Sequence, residues 1–153
     1  MESANKKGGF MDTKFSVALH ILTMISESKE TLSSQALATS VGTNASYIRK
    51  IIALLKNAGL ITSKQGKTGY QLSKSPKEIT LLEIYYATQE ITHIDLFPVH
   101  QNTNTNCPVG KHIQEAVSPL FTSAELQLEN ALKNQTLDNV IHNLYKHAKQ
   151  VRK

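Results

Sequence analysis

No aspartate or glutamate occurs between Thr31 and Lys77, although the chain of 153 residues holds twelve elsewhere. The same window carries Arg49, Lys50, Lys56, Lys64, Lys67, Lys74 and Lys77. A folded surface ordinarily mixes both signs, so a segment stripped of acids indicates a face turned toward a polyanion. The plainer reading is a solvated basic face arising by chance. Cysteine is nearly absent too. Cys107 stands alone, which excludes an internal disulfide and points to a reducing, cytoplasmic compartment. Tryptophan is missing and aromatics make up 6%, yet a hydrophobic share of 40% suffices for a core. No apolar run reaches the roughly 18 to 20 residues of a membrane span, so no membrane role is expected.

The most apolar stretch, Phe15 to Ile25, follows Lys6, Lys7 and Lys14 and faintly imitates a secretory signal. It contains His20 and Thr23, however, and no small-residue cleavage site follows it. It reads as a core helix. Residues 1–10, "MESANKKGGF", read as an expression scar or disordered arm outside the fold. No Ser/His/Asp set, carboxylate pair or glycine-rich phosphate loop is present in convincing form, so an enzyme is not expected.

What remains is mainly helical. A first helix is predicted over Asp12 to Ser26, with Phe15, Ala18, Leu19, Leu22 and Ile25 on one face. "TLSSQALATSVG" opens with capping serines and closes on Gly42, suited to a left-handed stop. After a short turn, Ile48, Ile51, Ile52 and Leu55 recur at helical spacing, while Ser46, Arg49, Lys50, Ala53 and Asn57 take the other face. Two short helices across a glycine-containing turn describe a helix-turn-helix. "GLITSKQGKTGYQLSK" then reads as strand Leu60–Ser63, a basic tip, and strand Tyr70–Ser73. A basic hairpin directly after a recognition helix is a wing. The expected fold is mainly α with a small β-wing: a winged helix-turn-helix head over 11–78, a connecting helix and loop over 79–106, and dimerisation and C-terminal helices over 107–150.

Within that fold the DNA-binding candidates divide by position. Asn44, Ser46, Tyr47, Arg49 and Lys50 lie in the first turns of the recognition helix, where side chains meet base edges in the major groove. Arg49 can grip guanine bidentately; Asn44 can read adenine or cap its own helix, and Tyr47 can meet phosphate or pack. Ser33, Ser34 and Gln35 open the second helix and can bind phosphate. Lys64 and Lys67 reach DNA from the wing. Lys56, Lys74 and Lys77 read as solvated or as long-range attractors.

Beyond the wing, Thr80 to Glu83 forms a capping-box pattern that starts a helix ending near Glu90. "THIDLFPVHQNTNTN" is a loop. From Pro108 a helical pattern runs on through Leu128 and Ala131, interrupted by Pro119, with Thr122 to Glu125 offering a fresh capping box. One long helix with a bend is the preferred reading. A last helix carries Leu137, Val140, Ile141, Leu144, Tyr145 and Ala148 on one stripe, capped at Thr136. These helices hold more apolar surface than the head covers. Packing on a twin would bury it and supply the two-fold symmetry of a palindromic double-stranded DNA site.

The run from Ser33 to Gln89, above all "LLKNAGLI" and "SPKEITLLEI", resembles the bacterial Rrf-two family of regulators, which includes IscR, NsrR and CymR. "NCPVGKHI" resembles its smaller YwnA-like branch in Gram-positive bacteria. The resemblance implies a homodimeric transcription regulator, a repressor, with a winged head and a long dimerisation helix. Cluster-binding members place three cysteines ahead of that helix. This chain keeps only Cys107, so no iron–sulfur cofactor is expected. His93, His100 and His112 share no compact metal-site spacing with it, and no metal site is expected.

Cys107 precedes Pro108, a residue suited to the first helical position, which makes the cysteine an N-cap. Free amides, the helix dipole and Lys111 one turn along favour the thiolate there, making a redox switch one reading and a buried, ordinary thiol the other. A ligand- or metal-responsive regulator, its effector between wing and dimerisation helices, and a winged helix used only for protein interaction are the alternatives.

Overall fold

The computed structural model describes residues 12–152; the arm expected over 1–10 lies outside them. The order is α1 (Lys14–Glu27), α2 (Ser34–Val41), α3 (Ala45–Asn57), β1 (Ile61–Ser63), β2 (Tyr70–Leu72), a 3-10 turn (Pro76–Glu78), α4 (Leu81–Gln89), α5 (Pro108–Lys133) and α6 (Leu137–Arg152). This is the expected winged helix-turn-helix followed by three further helices.

The head closes around aliphatic side chains. Ala18, Ile21 and Leu22 of α1 meet Leu37 of α2 and Ile48, Ile51 and Leu55 of α3, all fully buried. Each such side chain contributes about 1.5–3 kcal/mol on leaving water. Phe15 packs edge-on against Tyr85 of α4 with ring centroids 5.2 Å apart. The helix-turn-helix corner depends on Gly42, whose φ of 87° lets the chain turn sharply and return two amides to the Ala38 carbonyl.

The wing is antiparallel, with Ile61 opposite Leu72, Thr62 opposite Gln71 and Ser63 opposite Tyr70. Its strands are one residue shorter than expected at the outer ends, although the Ser73 amide still donates to the Leu60 carbonyl at 2.9 Å. Thr80 and Glu83 form the full capping box that starts α4. A backbone exchange ties the far end of the chain to the head: the Leu81 amide donates to the Gln135 carbonyl and the Leu137 amide to the Ile79 carbonyl, each at 2.9 Å. Leu137 and Ile141 of α6 then enter the head's core. Thr136 and Asn139 cap each other reciprocally where α6 begins.

α5 runs unbroken for 26 residues through Pro119. The restart box at Thr122 to Glu125 does not form. Glu125 is used elsewhere, accepting the amides of Leu96 (2.7 Å) and Phe97 (3.2 Å). One turn on, Glu129 accepts the Ile94 amide at 2.9 Å. The Phe97 and Phe121 rings lie 5.4 Å apart, Gln114 donates to the His100 carbonyl, and Thr103 donates to the Gly110 carbonyl. The segment between α4 and α5 has no regular secondary structure. It is nevertheless laid down as a strap running antiparallel along α5, with the amides of Ile94, Leu96 and Phe97 satisfied by carboxylates rather than by a ladder. No side chain of α5 is fully buried, and Val109, Leu120 and Leu126 are 67%, 69% and 52% exposed.

Candidate nucleic-acid interface

α3 is the most amphipathic part of the head. Its inward stripe of Ile48, Ile51, Ile52 and Leu55 leaves Ser46, Arg49 and Lys50 exposed along the outer face. Asn44 is the N-cap: its Oδ1 accepts the Tyr47 amide at 2.8 Å, so the side chain is committed to its own helix. Tyr47 is half-buried and packs against the core. Of the five recognition-helix candidates, Ser46, Arg49 and Lys50 therefore remain outward and unengaged.

At α2, Ser33 is the N-cap and accepts the Ala36 amide at 3.1 Å. Ser34 and Gln35 occupy the first turn, where backbone amides point out of the helix. The Ser34 hydroxyl lies 3.2 Å from the Tyr70 hydroxyl on β2, which brings the start of α2 against the wing. Lys67 is exposed at the wing tip, while Lys64 is half-buried where β1 enters the tip and donates its amide to the Gly69 carbonyl. The candidates thus gather on three adjoining elements: α2, α3 and the wing.

Two lysines read from sequence as free are held. Lys56 donates to the Ser63 hydroxyl at 2.6 Å, and its ammonium sits 5.4 Å from the centroid of the Tyr70 ring. Lys74 pairs with Glu83 at 2.7 Å. Tyr70 was not among the sequence candidates. The available signal was strand alternation, which puts Tyr70 and Leu72 together on one face of the hairpin.

Cys107 is the N-cap of α5 with Pro108 at the first helical position, and it is exposed rather than buried. Its sulfur makes no capping hydrogen bond of ordinary geometry, but the outward amides of Gly110 and Val109 hold its pKa below the usual thiol range. His93, His100 and His112 are all exposed, and His112 lies 3.3 Å from Glu115. Among the described residues no three His, Cys, Asp or Glu side chains gather as a metal site, and no helix is long and apolar enough to cross a membrane.

A winged helix-turn-helix presenting a basic recognition helix and a basic wing is the architecture of an HTH-type, DNA-binding transcription regulator. The chain belongs to the Rrf2 family, described as "Iron-dependent Transcriptional regulator", which matches residues 11–143. It is 42% identical over 135 residues to the candidate HTH-type transcriptional regulator YwnA of Bacillus subtilis (strain 168), covering 88% of this chain and 99% of that one. A crystal structure of a candidate DNA binding protein shares 40% identity with a TM-score of 0.68, covering 84% of this chain and 98% of that chain. CymR, described as the global cysteine regulator of B. subtilis, has a TM-score of 0.63 at 20% identity, over 87% and 96% of the two chains, a likeness of fold alone. These relatives are regulators and not enzymes, and so is this chain.

The family description speaks of iron. Iron–sulfur clusters are held by a set of thiolates, whereas this chain has one cysteine and its loop histidines do not converge on it. The donor set does not fit such a cluster.

Proposed function

We propose that the protein is a homodimeric repressor of a palindromic double-stranded DNA site, working without an iron–sulfur cluster and released by oxidation of Cys107. Ser46, Arg49 and Lys50 read bases, Tyr47 supports them, and Asn44 fixes the start of their helix. Ser33, Ser34, Gln35, Lys64 and Lys67 engage the phosphate backbone.

The observation that carries the dimer is the exposed apolar surface of α5. The strap covers one face of that helix, while Val109, Leu120 and Leu126 face water. A second α5 would bury them and set two recognition helices on one duplex about a helical turn apart. The redox part rests on an exposed thiol of lowered pKa at the joint between strap and α5. A peroxide would oxidise its thiolate to a sulfenic acid, the O–O bond breaking and hydroxide or alkoxide leaving, and the charge that the helix amides favour would be lost.

Selection of sites from random duplex DNA with reduced protein, followed by retesting after mild oxidation with Cys107→Ser as control, tests all parts. An enriched palindrome lost on oxidation in wild type alone supports the full reading. A palindrome indifferent to oxidation removes the switch and leaves the dimer. No enriched sequence moves the function to a protein-interaction module.

A ligand-responsive reading is favoured by a cavity of about 350 Å3 between the end of α1 and the wing, lined by Ile25, Leu32, Lys64, Tyr70 and Leu72 among others. It lies on the side of the wing facing α1, not between the wing and the α5–α6 pair where sequence reasoning put an effector.

A further inference from the structure

We infer that Lys56 and Tyr70 form a brace that presets the wing against the two helices of the helix-turn-helix, making them positioning residues for DNA recognition. The inference rests on the reading of Ser34 and the wing lysines as phosphate contacts.

Lys56 lies in the last turn of α3, the recognition helix. Its ammonium donates to Ser63 on β1 and stands over the ring of Tyr70 on β2. Ser63 and Tyr70 are cross-strand partners, so one ammonium spans both strands of the wing at a single rung. Tyr70 carries the connection onward, since its hydroxyl meets that of Ser34 in the first turn of α2. The three elements that present the DNA-facing side chains are thereby joined through two residues, Lys56 and Tyr70.

Gly69 completes the seat. It is buried with φ of 112°, and a Cβ there would lie 2.6 Å from the Thr31 side chain and 3.4 Å from the Leu32 carbonyl oxygen. The wing therefore rests directly on the α1–α2 connection, at a spacing only glycine allows. Lys56–Ser63 and Lys56–Tyr70 are exposed contacts, each weak alone. Their effect is on the freedom of a two-stranded hairpin, which has little stability of its own. A wing held in place before DNA arrives loses less entropy on binding, and its lysines stay in register with Ser34.

The test uses the full chain with Lys56→Met, which keeps the aliphatic stem, Lys56→Arg, which keeps the charge, and Tyr70→Phe, which keeps the ring. In DNA-free protein, hydrogen exchange at the Lys64 and Ser73 amides should quicken in Lys56→Met and Tyr70→Phe and recover in Lys56→Arg, with thermal melting little changed. On the duplex selected by wild type, Lys56→Met and Tyr70→Phe should each bind roughly three- to tenfold more weakly. Lys67→Ala should then cost clearly less in the Lys56→Met background than in wild type, because a loose wing no longer delivers that lysine. Unchanged exchange overturns the brace. Changed exchange with wild-type affinity, or losses that simply add, overturns the positioning role. Quickened exchange in a protein that selects no duplex at all leaves the brace standing and removes the DNA-binding reading instead.

Discussion

The Tyr86 hydroxyl donates to Glu129 Oε2 at 2.8 Å, and the same oxygen accepts the Ile94 amide at 2.9 Å. One carboxylate oxygen thus holds together α4, the strap and α5. The Ile94 amide, then the Tyr86 hydroxyl, lowers the Glu129 pKa from its ordinary 4.5, and burial together with this bond pushes Tyr86 up to about 12. A carboxylate with a depressed folded-state pKa contributes stability that is present above the ordinary value and lost as pH falls through the folded one. Urea unfolding between pH 3 and 7 should show that loss in wild type and less of it in Glu129→Gln. At pH 7, Glu129→Ala should be about 1–3 kcal/mol less stable, since the Tyr86 hydroxyl and an amide lose their acceptor.

Arg49 and Lys67 should fail in different ways. Arg49→Ala should lose about 1–3 kcal/mol on a cognate duplex and relax base preference at one position. Lys67→Ala should weaken binding to all sequences alike and make the dependence on salt shallower. Binding titrations on a selected and a random duplex at several salt concentrations separate the two. Wild-type affinity in Arg49→Ala would mean that α3 does not read bases there.

Leu120 is 69% exposed in the middle of α5. If the twin helix packs on it, Leu120→Asp should yield a monomer by sedimentation, with unchanged helix content and markedly weaker binding to a two-site duplex. A dimer that survives the substitution would place the interface elsewhere.

Cys107 should alkylate with iodoacetamide at a rate that titrates below the ordinary thiol range, because the Gly110 and Val109 amides favour the thiolate. Gly110→Ala should change this profile as well as the fold around it. A Cβ at position 110 would collide with the Asn104 carbonyl oxygen, where the strap turns into the helix. An ordinary titration midpoint would end the activated-thiolate reading.

The inward stripe of α3 was legible because Ile48, Ile51, Ile52 and Leu55 repeat at the helical period, and the period is local. The N-cap position of Cys107 was legible for the same reason: Pro108 marks a helix start within its own neighbourhood. The strap was not. Its order comes from Glu125 and Glu129, far along the chain, and one of those carboxylates was read as a capping residue because Thr122 stands three positions before it. Lys56 was read as solvated because its partners, Ser63 and Tyr70, come together only when the hairpin closes. A long polar side chain takes its role from whatever tertiary contact lies within reach. Period and capping patterns, which the sequence displays, carry no information about that reach.

Charge is sorted along this molecule. Arg49, Lys50 and Lys67 stand exposed on an acid-free stretch of the head, whereas α5 mixes Lys111 and Lys133 with Glu115, Glu125 and Glu129. The attraction to a polyanion is therefore concentrated where that stretch meets water. In the field of a duplex the protein will turn head-first before any atom touches, so encounters arrive already oriented. The speed of association is then set by this field and damped by salt, while the lifetime of a complex belongs to its short-range contacts.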